Sequence, residues 1–326
     1  MNNDSRLNAR PNTRSVSVVL SNALGVGRVG SQVPLGKLTT FRTGGTAEWF
    51  YQTENNYEVT RAMRVASELE LPVTLLGGGS NVLIGDGGVR GLVVRFWHGT
   101  VSEKRPGVVR AEAGLTLNGL VRWTINRGLA GLEVWAGTPG TVGGAVHGNA
   151  HFQGELLGDR LARVGVCDQE GRVKDVAADE LDLGYDRSRL QRTGEAVLWA
   201  EFRVGEGSIS SLRAKARSSL AYRKRTQPLS VPSAGCVFRN PDGEGRQVVS
   251  AGQLIDHAGL KGKSVGGATV STLHGNFIVT NGQATSKDIR ELIGTCKETV
   301  SQRLGVHLRE EIVYLGQFAT DTSSVE

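Results

Sequence analysis

The run Leu71-Pro72-Val73-Thr74-Leu75-Leu76-Gly77-Gly78-Gly79-Ser80-Asn81 decides the fold. Its first six residues are apolar or β-branched, as a buried strand requires, and they pass straight into three glycines and two short polar residues. Glycine permits positive φ and lets backbone N–H groups come close to a ligand. A strand that ends in such a turn can present several N–H groups to a phosphate, with Ser80 and Asn81 adding side-chain bonds. The turn is not a P-loop, because no Gly-Lys-Ser/Thr follows. Nor is it the G-x-G-x-x-G turn of a dinucleotide fold, since no acidic residue stands about 20 positions on behind a fresh strand.

Working outward, a denser cluster follows at Ala136-Gly137-Thr138-Pro139-Gly140-Thr141-Val142-Gly143-Gly144-Ala145. A flexible linker would lack apolar anchors. Here Trp135, Val142 and Ala145 flank or punctuate the glycines, which predicts a packed loop pressed against a flat ligand. A third element, Arg42-Thr43-Gly44-Gly45, is placed to grip the same anion. Three such loops in the first half predict a large cofactor bearing more than one phosphate.

Around these loops the text alternates between helix and strand. Val59, Ala62, Met63, Ala66 and Leu69 fall at helical spacing behind Asn55 and Asn56, which can cap a helix. Leu117, Leu120, Val121 and Ile125 mark a second helix over Leu115 to Arg127, and a basic stretch from Ser211 to Arg225 a third. Ile289, Leu292, Ile293, Cys296, Val300 and Leu304 stripe a helix over Ser286 to Leu304, with Gly305 where a C-terminal cap belongs. Strands are predicted over Gly91–Phe96, Gly107–Ala113, Ala162–Cys167, Ala196–Val204 and Glu311–Leu315. This irregular interleaving predicts an α+β protein in lobes. The expected division is a disordered leader over 1–15, lobes over 16–96, 97–205 and 206–318, and a tail over 319–326.

Composition narrows the function. Lys and Arg outnumber Asp and Glu by 38 to 32, a formal charge of +6, which favours anionic partners. Aromatic residues make up 6%, too few for a stacking platform on single-stranded nucleic acid. Cys167, Cys236 and Cys296 are an odd, sparse set without metal-ligand spacing, which fits a reducing compartment and no disulfide framework. The polar start lacks the apolar core of a signal peptide, and no run of about 18 apolar residues occurs, so a soluble cytoplasmic protein with no membrane or nucleic-acid partner is expected.

Taken together these segments resemble the UDP-N-acetylenolpyruvoylglucosamine reductase family (MurB). The resemblance is carried by Thr39-Thr40-Phe41-Arg42-Thr43-Gly44-Gly45, by Leu76 to Leu83 and by Gly137 to Ala145. In the second half it is carried by Pro232-Ser233-Ala234-Gly235-Cys236-Val237-Phe238-Arg239-Asn240-Pro241, Ser250 to Gly262, His274 to Ile278 and Glu311-Ile312-Val313. It covers roughly Val33 to Gly316, and the order of the segments is more specific than any one of them. The span from Phe202 to Pro228 is too short for the family's extra tyrosine loop, so the chain is similar to the shorter type.

The resemblance implies an FAD-binding fold of the vanillyl-alcohol-oxidase type, two lobes for non-covalent FAD and a third for substrate. Arg42, Thr43, Gly44, Gly77, Gly78, Gly79, Ser80, Asn81, Gly137, Thr138, Pro139, Gly140, Thr141, Gly143 and Gly144 would then line the cofactor. It implies a reaction in two halves within peptidoglycan precursor synthesis. Hydride passes from NADPH through FAD to the terminal carbon of UDP-N-acetylglucosamine enolpyruvate, and an acid protonates the enolate that results. Cys236 stands at the proton-donor position, where the family usually has serine, and Glu311 at the active-site glutamate. The family reads Tyr-Arg-x-Ser where this chain reads Tyr185-Asp186-Arg187-Ser188. The catalytic cation is therefore expected at Arg187, with Arg189 the alternative, both on the face of Tyr185 if the segment is a strand. Tyr185, Arg189, Lys224, Arg225 and Asn240 are expected to bind substrate, Lys224 or Arg225 replacing a lysine that relatives carry where this chain has Thr226. The expected protein is a monomer. The competing readings are another flavoenzyme on the same fold and a non-catalytic basic nucleotide-binding protein. Covalent flavin attachment through His147 or His151 is not expected.

Overall fold

The computed structural model describes residues 13–241 and 249–318. The expected leader lies outside the described residues except for Thr13 to Ser15, which open the helix Thr13–Leu24, and the expected tail lies wholly outside them.

Asn55 caps the helix Asn56–Glu68 by accepting the N–H of Tyr57 on its side-chain oxygen at 2.8 Å. That helix buries Val59, Ala62, Met63, Val65 and Ala66. With Thr13–Leu24 it covers a four-stranded sheet, in the order Val29–Pro34, Thr46–Thr53, Val89–Phe96, Val73–Leu76. The first pair is antiparallel and the other two are parallel. The strand Val73–Leu76 therefore ends with its glycine turn at the sheet's edge, where the N–H groups beyond it have no ladder partner.

A second sheet is antiparallel throughout, in the order Val173–Ala177, Leu161–Cys167, Ala196–Arg203, Val108–Glu112, Val101–Arg105. The helix Leu117–Ile125 lays its whole expected stripe, Leu117, Leu120, Val121 and Ile125, into the core of this sheet. Each such side chain contributes roughly 1.5–3 kcal/mol by leaving water. The second glycine cluster is not all loop. Thr141 caps a short helix, Val142–His147, that contains Gly143 and Gly144. Gly143 donates its N–H to Ala113 O at 2.9 Å, and a Cβ there would lie 2.9 Å from that of Ala113, so helix and strand meet too closely for a side chain.

The basic helix Ile209–Thr226 packs Leu212 and Ala216 into the second core. Its packing therefore places it with the residues before Gly205, on the near side of the boundary expected there. The last core is formed by the helices Ala251–His257 and Ser286–Leu304 on a small antiparallel sheet, Ser264–Val265, Ala268–Val270 and Ile278–Thr280. Gly305 ends the long helix in the left-handed region at φ +69. The strand Val313–Leu315 then returns to pair in parallel with Val82–Ile84, and Phe41 and Leu83 enter the last core. This seam lays the end of the chain beside the Gly77–Asn81 turn.

Candidate active site

The glycine turns are packed on each other. A Cβ on Gly78 would lie 2.6 Å from Gly140 Cα, one on Gly77 would lie 2.5 Å from Thr141 Oγ1, and one on Gly79, at φ +62, would strike Leu38 O. Glycine at 78 thus first serves contact between the two turns. Among the described residues, the N–H groups of Gly78, Gly79, Ser80 and Asn81, and of Gly140 and Thr141, donate to no backbone carbonyl. A run of free amides on two abutting turns is an anion cradle, and it fits the pyrophosphate of FAD without a lysine. Thr43 donates its hydroxyl to Ala284 O at 2.9 Å, and Thr280 donates to Phe41 O at 2.9 Å, so the Arg42 turn is pinned to the last lobe. Arg42 itself is exposed at φ +58. Gly44 lies against Ile84, where a Cβ would come within 2.7 Å. Gly137, at φ +78, donates to Asn118 Oδ1 at 3.1 Å, and Pro139 stands exposed between Thr138 and Gly140.

Three hydrogen bonds tie this cradle to the segments of Cys236 and Glu311, and a fourth joins those two segments to each other. Gly235 N–H donates to Ser80 O at 3.2 Å, Asn81 Nδ2 to Glu311 O at 3.2 Å, Val313 N–H to Asn81 O at 3.0 Å and Glu311 N–H to Val237 O at 2.8 Å. Cys236 is half-buried, and burial pushes its thiol up to about 12. The Glu311 carboxylate adds to that rise, while Arg223 and the Asn276 amide oppose it. The thiol therefore keeps its proton at neutral pH. Cys167 and Cys296 are buried core groups, pushed up to about 11 and about 12 by burial.

Arg223 was part of the basic stretch but not among the expected site residues. It is buried, stacked 3.6 Å over the Phe152 ring, and donates to Thr138 Oγ1 at 2.6 Å and Gln227 Oε1 at 3.3 Å. Burial lowers its guanidinium to about 10. The signal was present in the sequence: Leu212, Ala216, Ser219 and Arg223 form the helix's buried stripe, and an arginine on a buried stripe is a cation held inside. Lys224 and Arg225, which were expected there, are exposed on the other side of the helix.

The Tyr185 segment is a turn, not a strand. Asp186 sits at φ +47 and Gly184 bridges to Arg187, so the alternation that would have put Tyr185, Arg187 and Arg189 on one face is broken. Arg187 points outward, 54% exposed, and pairs with Asp182 at 3.1 Å. Arg189 pairs with Glu195 at 3.2 Å and lines an open groove with Asp168 and Arg172. Neither has a described contact with Cys236 or Glu311, so neither takes the place expected for the cation. Asp186 turns inward instead, 4% exposed, with Arg239 Nε 2.9 Å from its Oδ2. Burial first, then the Glu311 carboxylate, raise Asp186 to about 7, against the pull of Arg239 and His151. Tyr185 is raised to about 12 by burial and by Glu311, accepts the Asn240 N–H, and stacks on His151 at 4.3 Å between centroids. His151 Nε2 in turn lies 3.4 Å from Glu311 Oε1. The Asn240 side chain accepts Ala251 N–H at 3.0 Å and so holds the following helix.

A protonated thiol, flanking carboxyls and a buried arginine beside a two-turn anion cradle define a flavin-dependent oxidoreductase on an FAD-binding fold. Residues 47–177 match the model of the FAD binding domain, and residues 227–315 match that of the UDP-N-acetylenolpyruvoylglucosamine reductase C-terminal domain. The chain is 40% identical over 296 residues to the UDP-N-acetylenolpyruvoylglucosamine reductase of Synechococcus sp. (strain RCC307), spanning 90% of this chain and 95% of that one. It is 40% identical over 286 residues to the enzyme of that name from Moorella thermoacetica, spanning 87% and 92%. The crystal structure of the Thermus caldophilus enzyme superposes with a TM-score of 0.76 at 36% identity, over 88% of this chain and 99% of that one. The chain belongs to the UDP-N-acetylenolpyruvoylglucosamine reductase family.

Proposed function

We propose that this protein reduces the enolpyruvyl ether of UDP-N-acetylglucosamine to UDP-N-acetylmuramate with NADPH, as a cytoplasmic monomer in peptidoglycan precursor synthesis. Among the described residues no helix is long and apolar enough to cross a membrane. The observation that carries the reading is the seam in which Ser80 and Asn81 of the cofactor cradle bind the Cys236 and Glu311 segments directly. Bound FAD would supply the hydride chemistry between NADPH and the terminal carbon of the enolpyruvyl group.

The chain's own residues do the rest. The free amides of Gly78 to Asn81, Gly140 and Thr141 hold the pyrophosphate. Cys236 donates its proton to the carbon beside the substrate carboxylate, which a thiol kept protonated can do. Arg223, fixed by Thr138 and Phe152, is a cation whose charge acts on the Cys236 thiol, and it stabilises the enolate. Arg239 is the second cation, turned by Asp186. Tyr185 positions the sugar, and exposed Lys224 and Arg225 meet its diphosphate. Residues 16–205 with the helix Ile209–Thr226 form the FAD half, and residues 227–241 and 249–318 form the substrate side.

The test is to mix the purified, FAD-loaded protein with NADPH and then with the enolpyruvyl UDP-sugar. The flavin absorbance should bleach and then recover. A protein that takes up no FAD, or whose bleached flavin recovers no faster with the UDP-sugar than without it, overturns the proposal.

A further inference from the structure

Proton supply is the step for which the residues above give no route. Each turnover consumes the proton of Cys236, and the thiolate left behind lies in the field of the carboxylate of Glu311, a residue whose backbone N–H donates to Val237 O beside Cys236. His151 lies on the solvent side of that pair. Its Nε2 is 3.4 Å from Glu311 Oε1, its ring stacks on Tyr185 at 4.3 Å, and its side chain is 23% exposed against 12% for Glu311. The other Glu311 oxygen, Oε2, is buried with no hydrogen-bond partner among the described residues. The titratable and charged groups facing His151 are Glu311, Tyr185 and Asp186, with Arg239 paired to Asp186 behind them.

From this geometry we infer that His151 is a positioning residue that holds the Glu311 carboxyl and returns a proton to it from solvent after each turnover. The inference rests on the roles proposed above for Cys236 and Glu311. The sequence of proton moves balances. The Cys236 S–H bond breaks as the substrate C–H bond forms. The Glu311 carboxylate then takes the Nε2 proton of the protonated His151 ring and passes it to the thiolate, and the exposed ring takes one from water. No electron moves in these steps, and the net consumption is one solvent proton per turnover.

Two substitutions test it. His151→Gln keeps a donor toward Glu311 but cannot relay, and His151→Gly leaves room for free imidazole. Both should hold FAD and bleach with NADPH as the wild type does. Recovery of the flavin on adding the enolpyruvyl UDP-sugar should slow by about 10²-fold, the low end of a general acid's worth. Added imidazole should restore His151→Gly and not His151→Gln. A second readout needs no turnover: in FAD-free protein the imidazole nitrogen resonance of His151 should shift in Glu311→Gln. Wild-type recovery in His151→Gln, a slow His151→Gly that imidazole leaves slow, or an unmoved resonance overturns the inference. Cys236→Ala and Glu311→Gln in the same assay separate the two levels. If they recover at the wild-type rate the underlying roles fail; if they are slow while the His151 variants are not, only this inference fails.

Discussion

Arg239 Nε lies 2.9 Å from Asp186 Oδ2, so the inward-turned carboxyl of the Tyr185 turn is matched by a cation from the Cys236 loop. The pairing does not fully compensate burial, and Asp186 rises from 3.8 to about 7. A folded-state value above the unfolded one means the native protein binds the proton more tightly. Asp186 therefore favours folding below pH 3.8 and loses that advantage as pH rises from 3.8 to about 7, with no further change above. In Asp186→Asn this contribution disappears. Melting temperatures of the two proteins should diverge in the variant's favour as pH rises from about 4 to about 7. A constant difference across that range would contradict the raised value.

Cys236→Ala should bind FAD and accept hydride from NADPH, yet turn over about 10² to 10⁴ times more slowly with the enolpyruvyl UDP-sugar. Cys236→Ser keeps one transferable proton at similar volume and should retain most activity. Because the thiol of the native protein is pushed up to about 12, its ionisation should cost no activity at the pH values where an ordinary cysteine would already be a thiolate. Stopped-flow traces of flavin bleaching and recovery against pH read all three statements. Loss of recovery near the ordinary thiol value would show that the site does not hold the proton.

Arg223→Met removes the buried charge while keeping the length of the stem. Turnover with the UDP-sugar should fall about 10²- to 10³-fold, as when one donor to a developing oxyanion is lost. Bleaching by NADPH should change much less. An equal loss in both half-reactions would mean that Arg223 supports the Thr138 turn and not the enolate.

Gly78→Val places a branched side chain where Cβ alone would sit 2.6 Å from Gly140 Cα. Overpacking of this kind costs about 1–3 kcal/mol. The melting temperature of the FAD-free protein should therefore drop, and FAD should no longer be retained through gel filtration. If the FAD-free protein melts unchanged while FAD is lost, the glycine serves the ligand and not contact between the turns.

Arg187→Ala should leave both half-reactions within about twofold of wild type, because the side chain forms an exposed pair with Asp182, a contact worth about 0–1 kcal/mol. A severe loss of turnover with the UDP-sugar would return Arg187 to the site.

What the sequence determined by itself is what short-range physics controls. The helices over Asn56–Glu68, Leu117–Ile125 and Ser286–Leu304 follow from periodic apolar stripes, with a local cap at Asn55 and a stop at Gly305 for the first and last. The glycine turns were legible because positive φ and close approach leave a compositional mark, and ordered segments led from them to the family. Tertiary structure alone decided which charged groups meet. A single left-handed residue, Asp186, breaks the alternation after Tyr185, sending Arg187 outward to Asp182, leaving Arg189 to Glu195 and bringing Asp186 in. Arg223 reaches Thr138 across 85 residues, and His151 reaches Glu311 from the strand His151–Phe152. Such pairings depend on how three cores dock and on one backbone dihedral, neither of which has a local signature. Apolar burial, summed over many residues, survives an error at one position. A catalytic charge cluster does not, because it depends on a few side chains placed to within an ångström.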